Sequence, residues 1–155
     1  MNERALAKLF KRRSARNKDL RGAELEGRDL SGVDLRGSCL DGANLRGAIL
    51  IESCIRAAGF VGADLTLANL SRSDLRRNHF RSAVLAETRF SGSDASECWF
   101  EECDLTRAKF DKTNLSNTSF INCNLTEADF SGALTSSTTF SGSTLSGVKG
   151  LSIRK

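Results

Sequence analysis

From Leu20 to Leu145, nearly every fifth residue is large and apolar. Of the 26 positions in this series, 24 carry Leu, Ile or Phe, so the two exceptions, Ala95 and Thr135, do not break the pattern. Two residues before most centres the chain is small, as at Ala23, Ala48, Ser73, Cys98 and Cys123. The residue between is often Asp or Asn, as at Asp29, Asp34, Asn44, Asp64 and Asp74. A period of five suits neither regular element. On an α-helix the apolar stripe would drift around the cylinder. On a straight strand an odd spacing would throw successive centres onto opposite faces. Both apolar positions stay inside only if the chain bends once per unit, with a short extended segment between bends. Repetition then gives a coil with a dry interior, and stacked coils hydrogen-bond to one another.

A longer period sizes the coil. Reading every twentieth residue gives a uniform column of Leu25, Leu45, Leu65, Leu85, Leu105 and Leu125. A second column runs from Leu40 through Phe60, Phe80, Phe100, Phe120 and Phe140. Together these residues are the expected core. Every fifteenth residue mixes Phe with Leu, which argues against a three-sided coil, whereas ten fits as well as twenty. The units resemble the A(D/N)LXX motif of the pentapeptide repeat family across roughly residues 20 to 147. That resemblance implies an all-β fold, a right-handed quadrilateral β-helix of about six coils.

The ends read differently. Residues 2–16 form the pattern of a short amphipathic helix, with Ala5, Leu6, Leu9 and Phe10 on one side and Arg4, Lys8, Lys11, Arg12 and Arg13 on the rest. A solenoid needs its open apolar end covered, so residues 1–19 are expected to be a capping α-helix. Residues 20–147 are then the β-helix and 148–155 a short tail. The far end is left uncapped and open to pairing with a second copy. At Ala133-Leu134-Thr135 a Leu comes one position early, which predicts a local bulge or widened turn.

Composition narrows the chemistry. A single histidine, His79, falls in an outward slot, so no Ser-His-Asp or Cys-His arrangement can be built without it. Phosphate-binding glycine loops are also missing. No catalytic residue, cofactor or metal site is expected. The Asp and Asn before the centres recur too evenly to mark one location, and their short side chains suit corners. Five cysteines without a CxxC pair point to a reducing compartment. Cys103 and Cys123, one coil apart, are expected to be free thiols. The N-terminal apolar stretch is too short for a signal peptide, and no run approaches a membrane span. A cytoplasmic protein is the plain reading, and a secreted effector stays compatible with it.

Charge is distributed along the axis. Residues 1–22 carry a net of +6, residues 91–145 a net of −5, and the whole chain +4. The twenty-residue register places Arg77 under Glu97 and Arg81 under Glu101 as ion pairs. It also aligns Arg36, Arg56 and Arg76 in one basic stripe, the candidate partner-binding residues, with only Asp34 and Asp74 near enough to offset them. The expected function is a non-enzymatic protein-interaction scaffold whose partner the sequence does not name. Some members of the family shield DNA gyrase as acidic, DNA-like rods, which makes a topoisomerase partner the first alternative. The basic balance of this chain runs against it, and the acidic segment 91–145 is its support. Nucleic-acid binding through the basic N-terminus is the second alternative.

Overall fold

The computed structural model describes residues 3–151. Its one helix, α1, spans Glu3–Lys11. Glu3 in the first turn and Lys8 and Lys11 in the last oppose the helix dipole at both ends. Leu6 and Phe10 are buried in the same apolar cluster as the coils, with Leu9 packed at its margin. The helix is shorter than the 2–16 expected from its pattern. Arg13 adopts a left-handed φ of 52° and donates its N–H to the Phe10 carbonyl, ending the helix. Asn2 lies outside the described residues.

Pairing begins directly afterwards. Ser14 bridges Asp34 in parallel, and Ala15 is fully buried in the position that Leu or Phe holds in later units. The solenoid therefore starts upstream of Leu20, at a unit whose centre is too small for the large-residue series to register. From there each bridging residue pairs with the one twenty positions on, as in Asp34↔Cys54↔Asp74↔Asp94↔Asn114↔Leu134. Each circuit thus takes twenty residues. On one face the bridges lengthen into a parallel sheet, β1 (His79–Arg81), β2 (Trp99–Glu101) and β3 (Ser119–Ile121), in that order.

Corners between the bridges are β-turns. At one of them, Ala23 N–H donates to Leu20 O at 3.0 Å, and Gly22 in third place takes φ 61°, the positive value that a type II turn requires there. Bending at every corner lets both the small residue and the centre point inward. The centres Leu25, Leu45, Leu65, Leu85, Leu105 and Leu125 have no exposed surface, and Phe60, Phe80, Phe100 and Phe120 are as deeply buried. Phe140 is only partly buried, because no described coil follows it. Successive rings stack along the axis, Phe80 on Phe100 and Phe100 on Phe120 at 4.8 Å each. A neighbouring column of Phe90, Phe110 and Phe130 meets them edge to face, the offset geometry that ring quadrupoles favour.

No bulge interrupts the chain at 133–135. Leu134 keeps the bridge to Asn114, donates to Thr113 O at 2.9 Å and accepts from Leu115 N at 2.8 Å. Register is carried by these backbone bonds, so the displaced side chain simply points outward, 62% exposed, while Thr135 takes the centre slot.

Candidate interaction surface

The inward small slot does more than fill space. Most hydroxyls and thiols there donate to the carbonyl of the centre residue 23 positions earlier, in the coil before, while Ser93 Oγ bonds to Phe90 O in its own coil. Ser73 Oγ reaches Leu50 O at 2.6 Å, Thr88 Oγ1 reaches Leu65 O at 2.7 Å and Thr118 Oγ1 reaches Ala95 O at 2.7 Å. Cys98, Cys103 and Cys123 make the same bond through Sγ at 3.0, 3.1 and 3.3 Å. The sequence predicted free thiols at Cys103 and Cys123 but not these bonds; their alternation with Ser and Thr in one slot was the available signal. Burial pushes the Cys98 thiol up to about 12, so it stays protonated and able to donate. All five cysteines are free.

Outside the core, the Asp and Asn slot braces corners. Asp29 Oδ1 accepts from Ser31 N at 2.9 Å, and Asp64 Oδ1 accepts from both Thr66 N and Thr66 Oγ1. The same arrangement recurs at Asp94, Asp104 and Asp129. Such Asx turns hold the corner and leave little carboxylate free for a ligand. Among the described residues no group of three or more His, Cys, Asp or Glu is placed to hold a metal ion.

The arginine stripe is more neutral than its sequence suggested. Arg36 grips Asp34 with two parallel bonds, Nη2 to Oδ2 at 2.6 Å and Nε to Oδ1 at 2.9 Å. Arg76 grips Asp74 in the same way at 2.7 and 2.8 Å. Each carboxylate stands two residues before its guanidinium, on the same outward surface, so the fork closes within one unit. The Arg36 hydrogen bond holds the Asp34 carboxyl below its ordinary range. At Asp74 burial pulls upward, but the bonds from Arg76 outweigh it and the shift is downward. Arg56 differs because Cys54 occupies the matching position. Its Nε only approaches Asp74 at 3.9 Å, leaving it the least compensated of the three. Arg16 extends the column and lies 3.7 Å from Asp34.

Inter-coil ion pairs follow the register, with Arg77 at 2.9 Å from Glu97 and Arg81 at 3.8 Å from Glu101. His79 is exposed on the β1–β3 face. Its Nε2 lies 3.4 Å from Glu101, and its ring meets the edge of Trp99 with centroids 6.0 Å apart. Trp99 is 54% exposed, and Val61 on the same face 43%. Elsewhere on the rod a furrow of about 720 Å³ runs past Ile49, Leu67, Arg89, Arg107, Lys109 and Lys149. No helix among the described residues is long and apolar enough to cross a membrane.

Comparison with known proteins agrees with this architecture. A pentapeptide repeat region model matches residues 73–149, and a model of eight pentapeptide repeat copies matches residues 19–50 and 29–66. No curated protein sequence matches the chain. Among solved structures, a pentapeptide repeat protein from the Arabidopsis thaliana thylakoid lumen is 32% identical, over 76% of this chain and 68% of that one, with a TM-score of 0.41. HetL, a pentapeptide repeat protein involved in heterocyst differentiation regulation in Nostoc sp. strain PCC 7120, is 19% identical, covering 96% and 94%, with a TM-score of 0.40. QnrB1, a plasmid-mediated fluoroquinolone resistance protein, is 23% identical, covering 87% and 76%, with a TM-score of 0.42. The repeat unit, the parallel stacking and the family models together place this chain in the pentapeptide repeat family.

Proposed function

We propose that this chain is a non-enzymatic scaffold that docks a protein partner on the outside of a right-handed, four-sided β-helix of about six coils. One observation carries the reading. Trp99 stands half-exposed on the β1–β3 face, next to His79, with an exposed Val61 two coils earlier in the neighbouring column of Arg81 and Glu101. A tryptophan contributes most to stability when buried, and exposed aromatic anchors are the residues that dominate protein interfaces. The arginine column adds polar contacts on the adjoining face, with Arg56 the member freest to reach a carboxylate and Arg36 and Arg76 already held by Asp34 and Asp74.

A topoisomerase partner is the second reading, favoured by the acidic stretch 91–145, where Glu102 is exposed and its carboxylate accepts from the Ser82 hydroxyl at 3.2 Å. Affinity capture with the full chain, at low and moderate salt, tests both. Trp99→Ala should weaken the recovered protein complex by roughly thirtyfold, the loss of a hot-spot residue of about 2 kcal/mol. Triple replacement of Arg36, Arg56 and Arg76 by Ser should weaken it less. A complex indifferent to Trp99→Ala removes this face from the proposal. Recovery of topoisomerase subunits selects the second reading, and salt-sensitive nucleic acid alone would overturn both in favour of the basic N-terminus.

A further inference from the structure

The furrow lies on the part of each circuit opposite Trp99 in the repeat order, and it has a simple origin. At each coil the small residue turns inward, drawing the backbone in between two outward neighbours. Ala48, Ala68, Thr88, Ala108 and Ala128 are these buried residues. One wall is built by corner residues such as Leu67, Glu87, Arg107 and Glu127, and the other by bridging residues such as Ile49, Asn69, Arg89, Lys109 and Lys149. Long side chains raise both walls over several consecutive coils.

The two ends of the furrow differ in chemistry. One end presents Ile49 and Leu67, which are 39% and 56% exposed. Leu67 also holds a left-handed φ of 61°, a strained position for a large side chain that is not repaid by burial. The other end is cationic. Arg107 and Lys109 sit 3.8 Å from Glu127 and Asp129, while Arg89 and Lys149 make no ion pair among the described residues. The four cations on the walls outnumber Glu87, Glu127 and the Asp129 that stands in the same column between Lys109 and Lys149. Backbone groups beneath are already used between coils: Arg89 N donates to Ala68 O and Arg89 O accepts from Leu70 N. Strand addition is therefore closed to a ligand here, and side chains must do the recognising.

We propose that this furrow binds an extended acidic peptide segment, with a large apolar residue against Ile49 and Leu67 and carboxylates against Arg89, Lys109 and Lys149. The lining from Gly47 to Gly147 crosses five coil steps. At about 4.8 Å per step it is about 24 Å long, the span of about seven extended residues. A nucleic acid strand fits less well. The walls offer no aromatic platform for base stacking, and the apolar end would face phosphate. The proposal shares with the scaffold reading the idea of a protein partner, but uses none of the residues around Trp99.

The test is fluorescence anisotropy at low salt, using the full chain and a labelled heptapeptide of sequence LIGESEE. Arg89→Glu combined with Lys149→Glu should weaken binding at least tenfold. Leu67→Gly, which suits the left-handed corner and so keeps the fold, should weaken it roughly fivefold, or about 1 kcal/mol. Trp99→Ala should leave it unchanged, which separates this site from the β1–β3 face. Thermal melting of each variant verifies that the coils remain intact. The proposal is overturned if the peptide does not bind at millimolar concentration, or if charge reversal has no effect. Equal binding of a lysine-for-glutamate peptide, or of single-stranded DNA of similar length, would overturn it as well.

Discussion

The coils before residue 62 and those after it follow one backbone path with different residues. In the first region seven of the nine left-handed corner positions, from Gly22 to Gly62, are glycine. From Leu67 to Glu127 only Gly92 of thirteen is. The interior changes in parallel. Leu centres are joined by stacked Phe centres, and the slot bonds to the preceding coil that Ser38 and Ser53 already make become frequent, through Ser, Thr and Cys. A non-glycine residue in this conformation costs about 1–2 kcal/mol, so the positive φ after residue 66 is imposed by coil pairing rather than chosen by the corner residue. Ring pairs worth about 0.5–1.5 kcal/mol beyond their buried area, and slot hydrogen bonds worth about 1 kcal/mol, oppose that cost. What the second region gains is side chains at its corners. Arg77 and Glu97 pair there, and Leu67, Glu87, Arg107 and Glu127 form one wall of the furrow. Glycine corners offer no such surface.

The largest test of this contrast is inside the Phe stack. Phe100→Asp should destabilise the protein by several kcal/mol, because a carboxylate would replace a ring held between Phe80 and Phe120. Unchanged denaturant midpoints would show that the second region does not depend on its stack. A smaller test compares corners. Gly42 has φ 65°, and nothing lies within 4 Å of a Cβ added there, so Gly42→Ala should cost about 1 kcal/mol through conformation alone. Glu87→Gly, at φ 57°, should instead gain about 0.5 kcal/mol, strain relief being partly offset by unfolded-state entropy. If both substitutions destabilised equally, the corner argument would be wrong. The third test is the flaw in the slot ladder. Asn78 Oδ1 accepts from Ala58 N at 2.8 Å, but its buried Nδ2 has no partner. Asn78→Thr, matching Thr118 forty residues on, should raise stability by about 1 kcal/mol in thermal or denaturant melts.

Much of this architecture could be read from the chain. The five-residue spacing located the buried centres, and the twenty-residue columns anticipated the Phe80–Phe100–Phe120 stack and the Arg77–Glu97 pair. Other features depend on geometry that spacing does not carry. The first unit was missed because Ala15 is small, although its backbone pairs like the rest. A bulge was expected at Leu134 because a side chain was out of step, whereas backbone bonds set the register. Asp34 and Asp74 were legible as the offset to the arginine stripe, but not the two-bond forks they close on Arg36 and Arg76, which leave Arg56 apart. The decisive carboxylates of Asp34 and Asp74 lie within the same unit, two residues away. The furrow depends on how far two outward neighbours diverge around an inward one, which is a property of the bend and not of either residue.

Pairing every residue with the one twenty positions away has a consequence for how the rod comes apart. Each coil is secured only by the coils on either side, so cooperativity is that of a one-dimensional stack in which melting advances step by step from a boundary. The two boundaries are unequal: α1 seals one with Leu6 and Phe10, whereas Thr135, Phe140 and Leu145 are only partly covered at the other. Opening that starts at either boundary must pass coil by coil through the outer layers before it reaches the Phe100 layer. A partner seated across several coils would act as a splint, halting that advance and tying the survival of the rod to its own occupancy.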